Sequence, residues 1–191
     1  MTLFLVGLVL FLGIHSVAIV APAWRDARVV QHGEPAWKGV YSVVSLLGFV
    51  LLIYGYGVAR QAPVVLYTPP AALRHVALLL MLPVFPLLLA AYLPGRIQRA
   101  TKHPMLLAVK LWAFAHLLAN GTLVDVLLFG AFLAWAVLDR IAVKRRAAPR
   151  ATPGAPPSAV NDGIAIAAGL VIYGVFVMWG HLWLFGVSPL R

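Results

Sequence analysis

The sequence contains no cysteine, which excludes disulfides, thiolate catalysis and cysteine-ligated metal or haem. It is also poor in charge: Asp, Glu, Lys and Arg make up 10% of its 191 residues, and only five are acidic. A soluble domain averages about 25% charged residues. Water does not dissolve a surface this short of charge, so most of it faces lipid. Soluble-enzyme signatures are missing too: there is no phosphate-binding glycine loop, no G-x-S-x-G and no H-E-x-x-H. No internal repeat is visible, which removes the sequence feature that would favour a transporter.

What the chain has is apolar length. Its hydrophobic fraction is 63% and its mean hydropathy +0.96. A spanning helix needs roughly 20 mostly apolar residues, and six segments qualify: about 2–21, 37–59, 71–92, 104–119, 122–143 and 163–187. The expected fold is an all-α, polytopic transmembrane helical bundle of about six spans, forming a single domain over 1–191. Met1 to Val20 carries no basic run before it and reads as a retained helix, not a cleaved signal. Pro22 ends the first segment, Pro83 and Pro86 kink the third, and Asn120-Gly121 is a turn between the fourth and fifth. Residues 94–103 read as a short surface-lying turn. Residues 145–158, rich in Ala, Pro and Arg, read as a flexible linker between helices five and six.

The net charge of +10 would suggest nucleic acid in a soluble protein. In this chain it follows membrane orientation instead, and no nucleic-acid partner is expected. Loops one, three and five carry Arg25, Arg28, Lys38, Arg96, Arg99, Lys102, Arg140, Lys144, Arg145, Arg146 and Arg150. The other side carries Arg60, Arg74 and Arg191, and Lys110 is intramembrane. Eleven basic residues against three place the odd loops in the cytoplasm. The expected localisation is therefore the bacterial inner membrane, multi-pass, with both termini periplasmic.

Ionisable groups inside a bilayer cost about 2.5–3.5 kcal/mol on insertion scales, so His15, His116, His181, Lys110 and Asp125 each call for a reason. Lys110 lies one or two turns from the cytoplasmic end, where its amine snorkels. Asp125, near the outer end of the fifth helix, is placed to pair with Arg74 or a histidine, in a structural or a proton-handling role. His116 lies roughly 18 Å from the cytoplasmic end of its helix, at about 1.5 Å per residue. It shares a face with Trp112 one turn before and Asn120 one turn after. Two readings stand for an intramembrane histidine: an interhelical hydrogen bond, or ligation of a metal or haem. His15 and His116 are the candidate ligand pair, with Asn120 as a supporting hydrogen-bond partner. His181, in YGVFVMWGHLWLFG, reads first as an interfacial residue beside Trp179 and Trp183. It is also the alternative partner for His116, because both lie in the outer half, whereas His15 lies in the cytoplasmic half of its helix. His75 and His103 sit near helix ends, and His32 in a loop. His103 is a further site candidate.

Three stretches together resemble the NnrU family: GIHSVAIVAPAWR at 13–25, KHPMLLAVKLWAFAHLLANG at 102–121 and LLFGAFLAWAVLDRIAVKRR at 127–146. With the connecting helices the resemblance covers essentially the whole chain. It implies a role in bacterial denitrification, supporting nitrite and nitric oxide reduction beside the nitrogen-oxide reductase machinery. The family is related to plant 15-cis-zeta-carotene isomerase, a membrane enzyme that uses haem b. The stretches holding that enzyme's haem-ligating histidines resemble those around His15 and His116. The resemblance thus implies haem b held by these two residues. It leaves open whether the chain is an enzyme, and two other readings stand: a haem-dependent isomerase of a polyene such as a carotenoid, or a non-enzymatic transporter or assembly factor. Two departures are visible. Many relatives are expected to carry an acid directly after the Asn-Gly turn, where this chain has Thr122, with Asp125 one turn on. The cysteine implicated in ligand exchange in the isomerase has no counterpart here. KHPMLLAVKLW is also faintly similar to a segment of small membrane methyltransferases, but Leu106 and Ala108 replace that motif's Tyr and Gly.

Overall fold

Pro22 both ends one helix and begins the next. The computed structural model describes residues 1–145 and 154–190. The first helix, α1 (Thr2–Val20), stops before it, and α2 (Pro22–His32) starts with the proline in its first turn, where a missing N–H costs nothing. Loop one is therefore largely helical, and His32 ends α2 instead of lying in a loop. Next come α3 (Glu34–Ala59), α4 (Ala72–Met81) and α5 (Val84–Ala90), the last two parted at Leu82-Pro83 as the prolines predict. Then follow α6 (Arg96–Thr101), α7 (Pro104–Ala119), α8 (Leu123–Arg145) and α9 (Val160–Val175). A π-turn over Phe176–Gly180 leads from α9 into α10 (His181–Phe185).

Five stretches are long and apolar enough to cross a bilayer: α1, α3, α4 with α5, α8, and α9 through α10. With 16 residues, α7 is shorter, rising only ~24 Å against a hydrocarbon core of about 30 Å. Hydrogen bonds between loops match the pattern that a sixth crossing would leave. Leu123 donates its N–H to the Val64 carbonyl at 2.7 Å, and Tyr67 donates to the Gly121 carbonyl at 3.2 Å. The loop after α3 and the loop after α7 thus lie on one side. Likewise Ala155 N–H donates to the Tyr92 carbonyl at 2.9 Å and Ser158 N–H to that of Pro94 at 3.1 Å. Each pair of loops is separated by two apolar helical stretches, which is the arrangement of a chain with about six spans. Apolar side chains such as Val9, Leu46, Leu79 and Val171 are 62–71% exposed, as a lipid-facing surface requires.

The chain folds as two compact units. The first comprises residues 1–66 and 122–145. Its centre is the antiparallel pair α1 and α3, whose backbones nearly touch: a Cβ on Gly7 would lie 2.3 Å from the Leu52 nitrogen, and one on Gly55 2.3 Å from that of Phe4. Small residues at the contact are how membrane helices gain packing where lipid competes equally for apolar side chains. Phe4 is fully buried there.

The second unit comprises residues 67–121 and 146–191. Val84, Leu87 and Ala108 form its buried cluster, joining α5 to α7. Gly169 of α9 packs against Pro86, where a Cβ would meet the proline nitrogen at 2.4 Å. Of the stretch read as a flexible linker, 146–153 lies outside the described residues. From Gly154 to Ser158 the chain is held by the hydrogen bonds to Tyr92 and Pro94 given above. Asn161, buried at the start of α9, adds to this by donating its amide to the carbonyls of Pro94 and Pro156 at 2.9 and 3.0 Å.

Candidate functional site

In the first unit His15 is enclosed by aromatic rings. Its Nδ1 lies 2.7 Å from the Phe11 carbonyl, one turn back on α1. A carbonyl only accepts, so Nδ1 carries the proton and the neutral ring has its lone pair on Nε2. The ring stacks on Phe11 at 4.3 Å, with Tyr41 of α3 at 5.0 Å and the edge of Trp135 of α8 at 6.0 Å. Trp135 Nε1 is buried with no hydrogen-bond partner.

In the second unit His116 repeats the pattern. Its Nδ1 donates to the Trp112 carbonyl at 2.8 Å, and the Trp112 ring lies 5.3 Å away. His181 faces it: the two imidazole centres are 6.5 Å apart, with planes inclined by 22°. His181 Nδ1 lies 2.6 Å from the Val187 carbonyl, so the same tautomer argument applies. Phe176 and Phe185 stand edge-on to His181 at 5.9 and 5.1 Å. The π-turn immediately precedes His181. Such turns occur frequently at functional sites, because one extra residue re-aims the side chains after it.

The sequence candidates are thus distributed as follows. His15 belongs to the first unit, and His116 and His181 come together in the second. Asn120 supports α7 by bonding main chain: both its side-chain amide and its own N–H donate to the His116 carbonyl, each at 2.9 Å. The short hydrogen bond from the Tyr67 hydroxyl to the Leu117 carbonyl satisfies another group of the same helix end. His103 occupies the N-cap position of α7, and its carbonyl accepts from Leu107 at 3.2 Å.

Asp125 is buried and is met by Tyr56 and Thr122, where the sequence suggested Arg74 or a histidine. The Tyr56 hydroxyl donates to Oδ1 at 2.6 Å, and the Thr122 hydroxyl to Oδ2 at 2.6 Å. Asp125 N–H points back to the Thr122 hydroxyl at 3.4 Å. This is a capping-box arrangement at the start of α8, and it gives Thr122 a role of its own. Arg60 lies over the Tyr56 ring at 5.6 Å.

Among the described residues, no group of three or more His, Cys, Asp or Glu is gathered to hold a metal ion. A family model described as "NnrU protein" matches residues 3–189. No curated protein and no solved structure matches the chain.

Proposed function

The chain belongs to the NnrU family, and from that premise we propose that it supports nitrite and nitric oxide reduction from within the inner membrane, holding haem b through intramembrane histidines. The observation that carries the haem reading is the His116–His181 pair, with ring centres 6.5 Å apart in one unit. Two imidazoles this close, each with its Nε2 lone pair left free by the Nδ1 hydrogen bond, are a donor pair that would hold a haem iron. Both rings keep the proton on Nδ1 through a backbone carbonyl, an arrangement that orients a ligating histidine and raises its basicity. The donor chemistry would suit a haem iron. Bound haem would supply a one-electron couple. The chain's own part is to hold the ligands on α7 and α10, wall them with Trp112, Phe176 and Phe185, and keep bulk water away.

Purified protein, expressed with ample haem, tests the reading. Six-coordinate b haem gives a Soret band and split visible bands on reduction. His116→Ala and His181→Ala should each abolish or shift that spectrum, and His32→Ala should leave it unchanged. A colourless protein ends the haem reading. If His15→Ala destroys the spectrum while His181→Ala preserves it, the ligand assignment moves to His15. The pathway has its own test: a deletion strain should grow normally in oxygen and poorly on anaerobic nitrite, with nitrite or nitric oxide accumulating. Wild-type rates of nitrogen-oxide reduction in that strain would favour the polyene isomerase instead.

A further inference from the structure

The short helix between the first two spans carries a feature that the haem reading does not use. None of the eleven residues of α2 is fully buried, and Trp24 and Val30 are 50% and 87% exposed. The helix joins the adjacent ends of α1 and α3, so it lies where the chain turns round at the membrane boundary. Amphipathic helices at that depth sit in the headgroup layer. Trp24 meets Trp37 of α3 edge to face at 6.0 Å. Arg28 lies over the Trp24 ring at 5.4 Å, and Arg25 over Trp37 at 5.8 Å.

Two acidic residues of this region are engaged by neighbours. Asp26 pairs with Arg25 at 2.8 Å and Glu34 with Lys38 at 3.0 Å. Arg28 donates to the neutral amide oxygen of Gln31 at 3.0 Å, so its charge faces no carboxylate in that bond. Beside it opens a cleft of about 360 Å³, lined by Trp24, Arg28, His32, Ala36, Trp37 and Val40. Arg28 and His32 contribute mainly carbon to its lining. The rest is indole, methyl and isopropyl surface, and Val40 is 58% exposed along α3.

From this arrangement we propose that the α2–α3 cleft is a binding site for an anionic phospholipid, with the phosphate on Arg28 and His32 and an acyl chain over Trp37 and Val40. A free phosphate would leave the apolar floor uncovered, and a zwitterionic lipid would bring a positive group to Arg28. The site is independent of haem and stands or falls by itself.

Native mass spectrometry of delipidated protein titrated with phosphatidylglycerol or phosphatidylcholine tests it. Phosphatidylglycerol should bind preferentially. Arg28→Gln should weaken that binding roughly fivefold, the effect of about one basic residue at a membrane surface. His32→Gln should weaken it less, and Lys144→Gln, outside the cleft, should not change it. Val40→Trp should lower occupancy while keeping every charge, which separates a lipid site from a basic patch. Thermal melting in detergent identifies folded variants, and any one of the cleft variants that folds suffices. Equal retention of the two lipids, undiminished binding in folded Arg28→Gln and Val40→Trp, or full displacement by inorganic phosphate would overturn the proposal.

Discussion

Asp162 seats its carboxylate where Gly95 has no side chain: a Cβ at position 95 would lie 2.3 Å from Oδ1. The carboxylate accepts the N–H groups of Arg96 at 2.8 Å and Ile97 at 3.0 Å, capping α6 from a residue 66 positions away. Asp162→Ala and Gly95→Val should each lower the melting temperature in detergent. Because the valine would clash with the carboxylate itself, Gly95→Val should cost less in the Asp162→Ala background than alone. Strict additivity in this double-mutant cycle would refute the contact.

Tight backbone contact between α1 and α3 leads to a second expectation. Gly55→Leu or Gly7→Leu must push the two helices apart, at about 1–3 kcal/mol or more for overpacking. Gly13, where an added Cβ meets nothing within 4 Å, should accept Ala with little change. Unfolding followed by tryptophan fluorescence distinguishes the sites, and equal loss at Gly13 and Gly55 would show that the close approach is wrong.

The Tyr56–Asp125–Thr122 cluster predicts coupled losses. Tyr56→Phe withdraws a donor from a buried carboxylate and should cost about 1–3 kcal/mol. Thr122→Ala removes the cap of α8 and should cost about 0.5–2 kcal/mol. Tyr56→Phe should cost much less once Asp125 is already Asn. A Tyr56→Phe effect that is unchanged in the Asp125→Asn background would remove the hydrogen bond from the account.

Orientation gives a fourth prediction. Alkaline phosphatase fused after Arg60 should be active and fused after Arg145 inactive, since the basic residues concentrate on the side of the odd loops. The reverse pattern would invert the proposed topology. Equal activity would contradict a crossing by α7.

What could be read in advance divides by sequence distance. Span limits, the break at Pro83 and the turn at Asn120-Gly121 depend on apolar length and proline chemistry, and the structure reproduces them closely. The π-turn before His181 and the Asp162 cap depend on how one helix meets another segment. No local pattern announced them, and the partners of Asp125 include Tyr56, 69 residues away. Some misses were local. Pro22 followed by an amphipathic stretch was sufficient to mark α2, and Thr122 three residues before Asp125 was a legible capping box. The aromatic residue four before each of His15 and His116 was a further local sign of how those rings are held. His116 and Asn120 do share a helix face as read, but the amide is committed to the carbonyl of residue 116. The sequence reading paired His116 first with His15 and named His181 only as the alternative partner, and it is that alternative whose ring stands 6.5 Å from His116.

The connectivity of the two units bears on how the protein is made. Each is assembled from two stretches of chain, and each is interrupted by a stretch of the other: 67–121 falls inside the first, and 122–145 separates the halves of the second. A ribosome delivering this chain to the membrane therefore releases α1 long before α8 arrives to pack on it, and α5 long before α9. Neither unit closes until its late segment has been inserted. Coexpressed fragments cut between residues 121 and 122 would each hold part of both units. They would have to find one another within the bilayer before either unit could close.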